Sequence, residues 1–157
     1  MSKSSLFILG ILRIALGWLF LYAGLTKIIN PSWTASSYLS AAKTFPEFYL
    51  WLTSDSILPI VNFINEWGLV LLGISLILGI GVRLSSVLGV ILMILYYLPI
   101  LEFPTIGHGY IVDEHIVYAL VLTFFAAVRA GRYWGLESWC ASLPICRRFP
   151  GLRSWFG

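Results

Sequence analysis

Asp113, Glu114 and His115 stand side by side in YIVDEHIVYALVLTFFAAV, residues 110–128, near the start of an otherwise apolar run. An imidazole titrates near neutral pH and neighbouring carboxylates tune it, so the trio has the composition of a proton-coupled site. Successive helical residues are turned by about 100°, so the three cannot all face one way. Glu114, His115 and Tyr118 form one connected patch by i,i+3 and i,i+4 spacing, while Asp113 points toward the side of Val117. The alternative is a polar rim that only faces water. Glu66, in NFINEWGLVLLG, is the other acid within an apolar run. An ionised carboxylate there is costly unless it is paired, protonated or wetted. Arg13 is its natural partner, either in an ion pair that fixes packing or in a protonatable site.

The elements that must position these groups follow from composition. The chain has 157 residues, 59% hydrophobic and 11% charged, with mean hydropathy +0.90; soluble domains carry about 25% charged residues. Apolar segments at roughly 6–29, 56–80, 83–101 and 110–129 each approach the ~20 residues that span a bilayer as a helix. Since lipid admits only helices or closed barrels, these segments predict an all-α integral membrane protein, a four-helix bundle forming a single domain over residues 1–157. The basic start MSKSS resembles a signal peptide, but the apolar stretch is too long and contains Arg13, so it is expected to remain as the first membrane helix.

On the first segment Gly10, Arg13, Gly17, Phe20, Gly24 and Lys27 share one stripe, and glycines so spaced let a second backbone come close. Arg13 and Lys27 therefore point into the bundle, or Lys27 snorkels to the outer interface. On the second segment Asn62, Asn65, Glu66 and Gly73 share a face. On the third, Tyr96 and Tyr97 either belong to the interfacial aromatic belt, the preferred reading, or line a slot for a ring. Pro99 is expected to loosen the end of that helix.

Basic residues set the orientation. Lys3, Arg83, Arg129, Arg132, Arg147, Arg148 and Arg153 fall at one side, and among the loops only Lys43 falls at the other. The positive-inside rule puts both termini in the cytoplasm and explains a pI of about 9.0 without any nucleic-acid partner. The acids other than Glu137 lie in the outer half, so the Asp113–His115 trio sits at the outer mouth. The segment 30–55 is an outer loop with one short helix, either a functional cover or a surface connection, and Trp33 and Trp51 suit the interface. The tail 130–157, rich in Trp and Arg, reads as interfacial.

Only two histidines, His108 and His115, are present, whereas a haem between helices usually requires two at depth on different helices. Cys140 and Cys146 have neither a redox nor a zinc spacing, and no dinucleotide fingerprint occurs. No haem, flavin or metal is expected.

Five stretches, RIALGWLFLYAGLTKIINPSWTA, NEWGLVLLGISLILGIGVRL, MILYYLPILEFP, YIVDEHIVYALVL and RAGRYWGLESW, taken in this order, resemble the DoxX/DoxD family of small four-helix membrane proteins. The resemblance covers about residues 10–139 and is nearest to the DoxD type, the small membrane subunit of thiosulfate:quinone oxidoreductase. It implies oxidation of thiosulfate to tetrathionate with a membrane quinone as electron acceptor, in company with a second, DoxA-like subunit. The alternative within the family is a non-catalytic scaffold or a subunit of a respiratory quinol oxidase complex. It assigns no catalytic residues, so the expected site comes from the helix faces: His115, Glu114 and Glu66 for proton chemistry, with Arg13, Lys27, Asn62, Asp113, Tyr118 and Tyr96 around the quinone. The pocket is expected in the outer half, walled by the first, second and fourth segments. The acid-rich outer side repels a dianion, so thiosulfate is expected to be held mainly by the partner. A multi-pass position in the cell membrane, in contact with lipid, follows.

Overall fold

The computed structural model describes residues 2–106 and 109–137. In chain order these form α1 (Lys3–Ile29), α2 (Ser36–Ser40), α3 (Pro46–Leu52), α4 (Leu58–Leu78), α5 (Val82–Ile100), the two-residue strands β1 (Leu101–Glu102), β2 (Thr105–Ile106) and β3 (Gly109–Tyr110), α6 (Glu114–Val128) and a 3-10 turn at Ala130–Arg132. Among the described residues α1, α4 and α5 are the helices long and apolar enough to cross a membrane. Large apolar side chains cover their outer surfaces, among them Trp18, Leu71 and Leu88, as expected of helices whose solvent is hydrocarbon.

Local signals account for the boundaries. The Ser2 hydroxyl accepts the Ser5 N–H at 3.1 Å and caps α1. Pro59 occupies the first turn of α4, where its missing N–H removes no helical bond. Gly79 and Gly81, at φ 68° and 64°, flank Ile80 and reverse the chain from α4 into α5. Gly79 is fixed twice over, by its left-handed backbone and because a Cβ there would fall 2.6 Å from Arg13 Nη1.

The expected stripe on α1 is the packed one: Gly10, Arg13, Gly17, Phe20 and Gly24 are buried. It lies along α4, while α5 runs along α6 and touches α4 less extensively. A Cβ on Gly73 would meet Leu21 N at 2.5 Å and Gly17 O at 2.7 Å, and one on Gly24 would meet Val70 N at 2.8 Å. Glycine at these positions is what allows the two backbones to approach. Phe20, Leu69, Leu76, Met93, Leu122 and Phe125 fill the space between the helices.

Two expectations are corrected. The apolar segment 110–129 does not start as helix. Tyr110 pairs with Thr105 in a small antiparallel sheet, Asp113 is extended at φ −124° and caps α6, and the helix keeps 15 residues. At 1.5 Å per residue this is roughly 22 Å, short of a ~30 Å hydrocarbon layer. The segment 30–55 holds two short helices instead of one. It is seated on the end of α5: Lys43 N–H donates to Pro99 O at 2.8 Å and Thr44 Oγ1 to Leu101 O at 2.8 Å. The fully buried Tyr49 donates its hydroxyl to Leu95 O at 3.1 Å. Pro99 is itself buried inside α5, which continues through Ile100.

Candidate functional site: a polar cavity at the His115 end

A cavity of about 670 Å³ opens where the α1–α4 connection lies over the helices, within the size range of small-molecule sites. Lys27 reaches it from α1, Ile64 and Asn65 from α4, Leu95 and Tyr96 from α5, Glu114 and His115 from α6, and Trp33, Tyr38 and Phe48 from the connection. The expected walls omitted α5 and the connection, and both contribute.

Tyr96 is the hub. Its hydroxyl donates to Asn65 Oδ1 in a short hydrogen bond and accepts from Lys27 Nζ at 3.2 Å. Its ring meets His115 edge-on with centroids 5.7 Å apart. The preference for a belt aromatic is therefore corrected: the side chain turns inward because Asn65, an amide in an apolar span, needs a partner there. Lys27 also turns inward, with Nζ 4.6 Å from the Trp33 ring centre and 5.2 Å from that of Tyr96, a position favoured by the ring quadrupoles.

Asp113 acts from outside the helix. Oδ1 accepts the Ile116 N–H at 3.1 Å, and Oδ2 lies 2.5 Å from His115 Nδ1. One carboxylate thus starts α6 and orients the imidazole. With Nδ1 held there, Nε2 is the ring nitrogen available to a ligand. The expected assignment of Glu114 as the helper of His115 and of Asp113 to the Val117 side assumed that Asp113 was helical. It fails because a capping residue has extended backbone. Glu114 is exposed at the cavity mouth.

The remaining expected residues lie apart. Arg13 is fully buried, but at the opposite end of α6. Nη1 donates to Ala130 O at 2.8 Å and Tyr133 O at 3.1 Å, and Nη2 to Trp134 O at 2.9 Å. Its counter-charge is Glu137, not Glu66. Burial raises the Glu137 carboxyl above the ordinary range, against the pull of Arg132, Arg129 and Arg13. Glu66 instead acts electrostatically on Lys27 and does not line the cavity. Asn62 accepts Ala35 N–H at 3.0 Å and donates to Thr34 Oγ1 at 3.3 Å, fastening the connection to α4. Tyr118 packs edge-on against Phe20 at 5.7 Å.

Asn65, Tyr38 and Trp33 were missed as site residues. Asn65 shared the Glu66 face, but the carboxylate drew the assignment. Tyr38 donates to the Tyr96 carbonyl oxygen. Burial first, then the Asp113 carboxylate, push its phenol up to about 12, so it remains a donor throughout the neutral range. Nothing in a loop sequence signalled that contact. His108, Cys140, Cys146 and the tail from 138 lie outside the described residues.

Long apolar helices around a half-open cavity with a few convergent polar groups define a membrane protein whose site lies near one end of its spans. The DoxX family model matches residues 8–100, more than half of the sequence, and the chain belongs to the DoxX family. That match takes in Lys27, Asn65 and Tyr96 and ends before Asp113, Glu114 and His115. No match was found among curated proteins or among solved structures.

Proposed function

We propose that this DoxX protein is the membrane subunit of a thiosulfate:quinone oxidoreductase and that the cavity receives the quinone ring. The observation that carries the reading is the Asp113–His115 pair packed against Tyr96 in the wall of an aromatic-lined cavity. The residues fit a planar ring with two carbonyl oxygens: Trp33, Tyr38, Phe48 and Tyr96 supply flat apolar surface, and Lys27 and His115 supply donors. A bound quinone supplies a two-electron, two-proton acceptor, matched by two thiosulfate dianions that each lose one electron and join as tetrathionate. His115 holds and releases a proton at Nε2, Asp113 fixes its ring, and Lys27 provides positive charge where negative charge develops. Glu114 at the mouth supports proton entry from the aqueous side.

In this reading α6 completes a four-helix, multi-pass bundle in the cell membrane, with both termini in the cytoplasm and the cavity toward the outside. Thiosulfate, a dianion, is held by a second, DoxA-like subunit, because Glu66 acts on Lys27 and the Glu114 carboxylate lines the same cavity. A second reading, a non-catalytic DoxX subunit of a quinol oxidase or other respiratory complex, is favoured by one observation: the family match stops short of the Asp113–His115 pair. Purified chain in detergent, assayed for thiosulfate-dependent quinone reduction with and without its co-purifying partner, separates them. The first reading predicts activity that His115→Ala abolishes. Activity unchanged by that variant supports the second.

A further inference from the structure

A second cavity, about 590 Å³, lies between α4 and α5. Ile64, Leu92 and Leu95 line both cavities, so the two adjoin along α4 and α5. The polar groups are segregated along this path. Lys27, Asn65, Tyr96 and His115 sit at one end. Beyond Leu92 the path is walled by Leu, Ile and Gly, apart from Ser75 and Ser85. Those two hydroxyls lie 2.7 Å apart and reach the Ile80 and Val82 carbonyls at 2.6 and 3.2 Å, so they ask nothing of a ligand. From Leu95 to Leu84 the α5 wall runs roughly 16 Å at 1.5 Å per residue, about half the hydrocarbon layer.

We infer that the cavity and the groove are one site for a single amphiphile, the ring of an isoprenoid quinone in the polar end and its polyprenyl tail along α4 and α5. This rests on the quinone reading of the cavity and adds how the membrane-borne substrate is chosen and held. Adjacency names the occupant: an apolar track beside an aromatic, hydrogen-bonding chamber suits a flat head on a long tail. A phospholipid phosphate is a poorer fit, since the cavity that holds Lys27 also holds the Glu114 carboxylate. Gly68 gives access for a test. It lines the groove, and a Cβ there meets nothing within 4 Å, so the side chain of Gly68→Phe starts into open space at the track.

Binding to the purified detergent-solubilised chain is titrated with a long-tailed ubiquinone or menaquinone and with its tail-less ring analogue. Thermal unfolding confirms that Gly68→Phe is folded, and Gly68→Ala serves as the milder variant. The expected result is at least about tenfold weaker binding of the long-tailed quinone to Gly68→Phe, the tail-less ring unaffected, and both weakened by His115→Ala. Unchanged long-tail affinity in a folded Gly68→Phe overturns the groove assignment, with lipid acyl chains as its occupant, and leaves the ring site standing. Failure of either quinone to bind the unsubstituted chain overturns the ring reading and this inference together.

Discussion

At the scale of single residues, the chemistry concentrates on one imidazole and the carboxylate behind it. Loss of the imidazole in His115→Ala is expected to lower quinone reduction by about 10²–10⁴-fold, the usual contribution of a positioned acid–base group. Asp113→Asn separates the two duties of Asp113. Asparagine still caps a helix, so stability should change by less than about 1 kcal/mol, while kcat falls with KM little altered because the amide Nδ2 then donates to His115 Nδ1 and reverses the tautomer that the carboxylate held; steady-state kinetics beside thermal unfolding checks this. Arg13 gives the opposite pattern. Arg13→Met leaves the buried Ala130, Tyr133 and Trp134 carbonyls without their donor and removes one of the charges acting on Glu137, which keeps Arg132 at 3.8 Å; it should cost about 3–5 kcal/mol without weakening quinone binding per folded molecule. Arg13→Lys should restore only part, since an ammonium lacks the planar fork. The sequence showed that Arg13 and Lys27 share the buried stripe. It did not show their partners, because pairing depends on depth. Arg13 lies 14 residues before Lys27, roughly 21 Å along the helix axis, which puts it at the far end of α6.

Among the elements, the close approach of α1 and α4 sets the frame from which Lys27 and Asn65 project. Two glycines of α4 should answer differently to one added methyl. At Gly73 a Cβ would lie 2.5 Å from the Leu21 backbone, whereas at Gly68 it meets open space. Gly73→Ala is expected to destabilise by about 1–3 kcal/mol through overpacking, and Gly68→Ala to be neutral or to stabilise by up to about 1 kcal/mol through helix propensity; thermal unfolding of the two variants in the same detergent decides it. The glycine stripe was legible because helical periodicity alone places Gly10, Gly17 and Gly24 together. The start of α6 was not, since the apolar run continues backward through Tyr110, Ile111 and Val112, and hydropathy does not distinguish a strand from a helix. The covering role of the connection was one of two open readings, because it rests on bonds from Lys43, Thr44 and Tyr49 to carbonyls of the third apolar segment.

For the molecule as a whole, the proposed topology sets the cavity toward the outer face, roofed by the connection and beside the groove along α4 and α5. In a chain with Cys140 and Cys146 changed to serine, a cysteine introduced at Glu47 should react with a membrane-impermeant thiol reagent from outside intact cells. One introduced at Arg83 should react only after permeabilisation; the reverse order would invert the topology. Membrane character could be read from composition. The cavity could not, since it requires α1, α4, α5, α6 and a loop to meet at one level. The most direct test of the ring site is photo-crosslinking of the purified chain with an azido-quinone, followed by mass mapping of the adducts. The account predicts adducts on Trp33, Tyr96 and His115, suppressed by excess unmodified quinone. Adducts confined to outward-facing residues of α1 such as Ile11 and Trp18, or insensitive to competition, would contradict it.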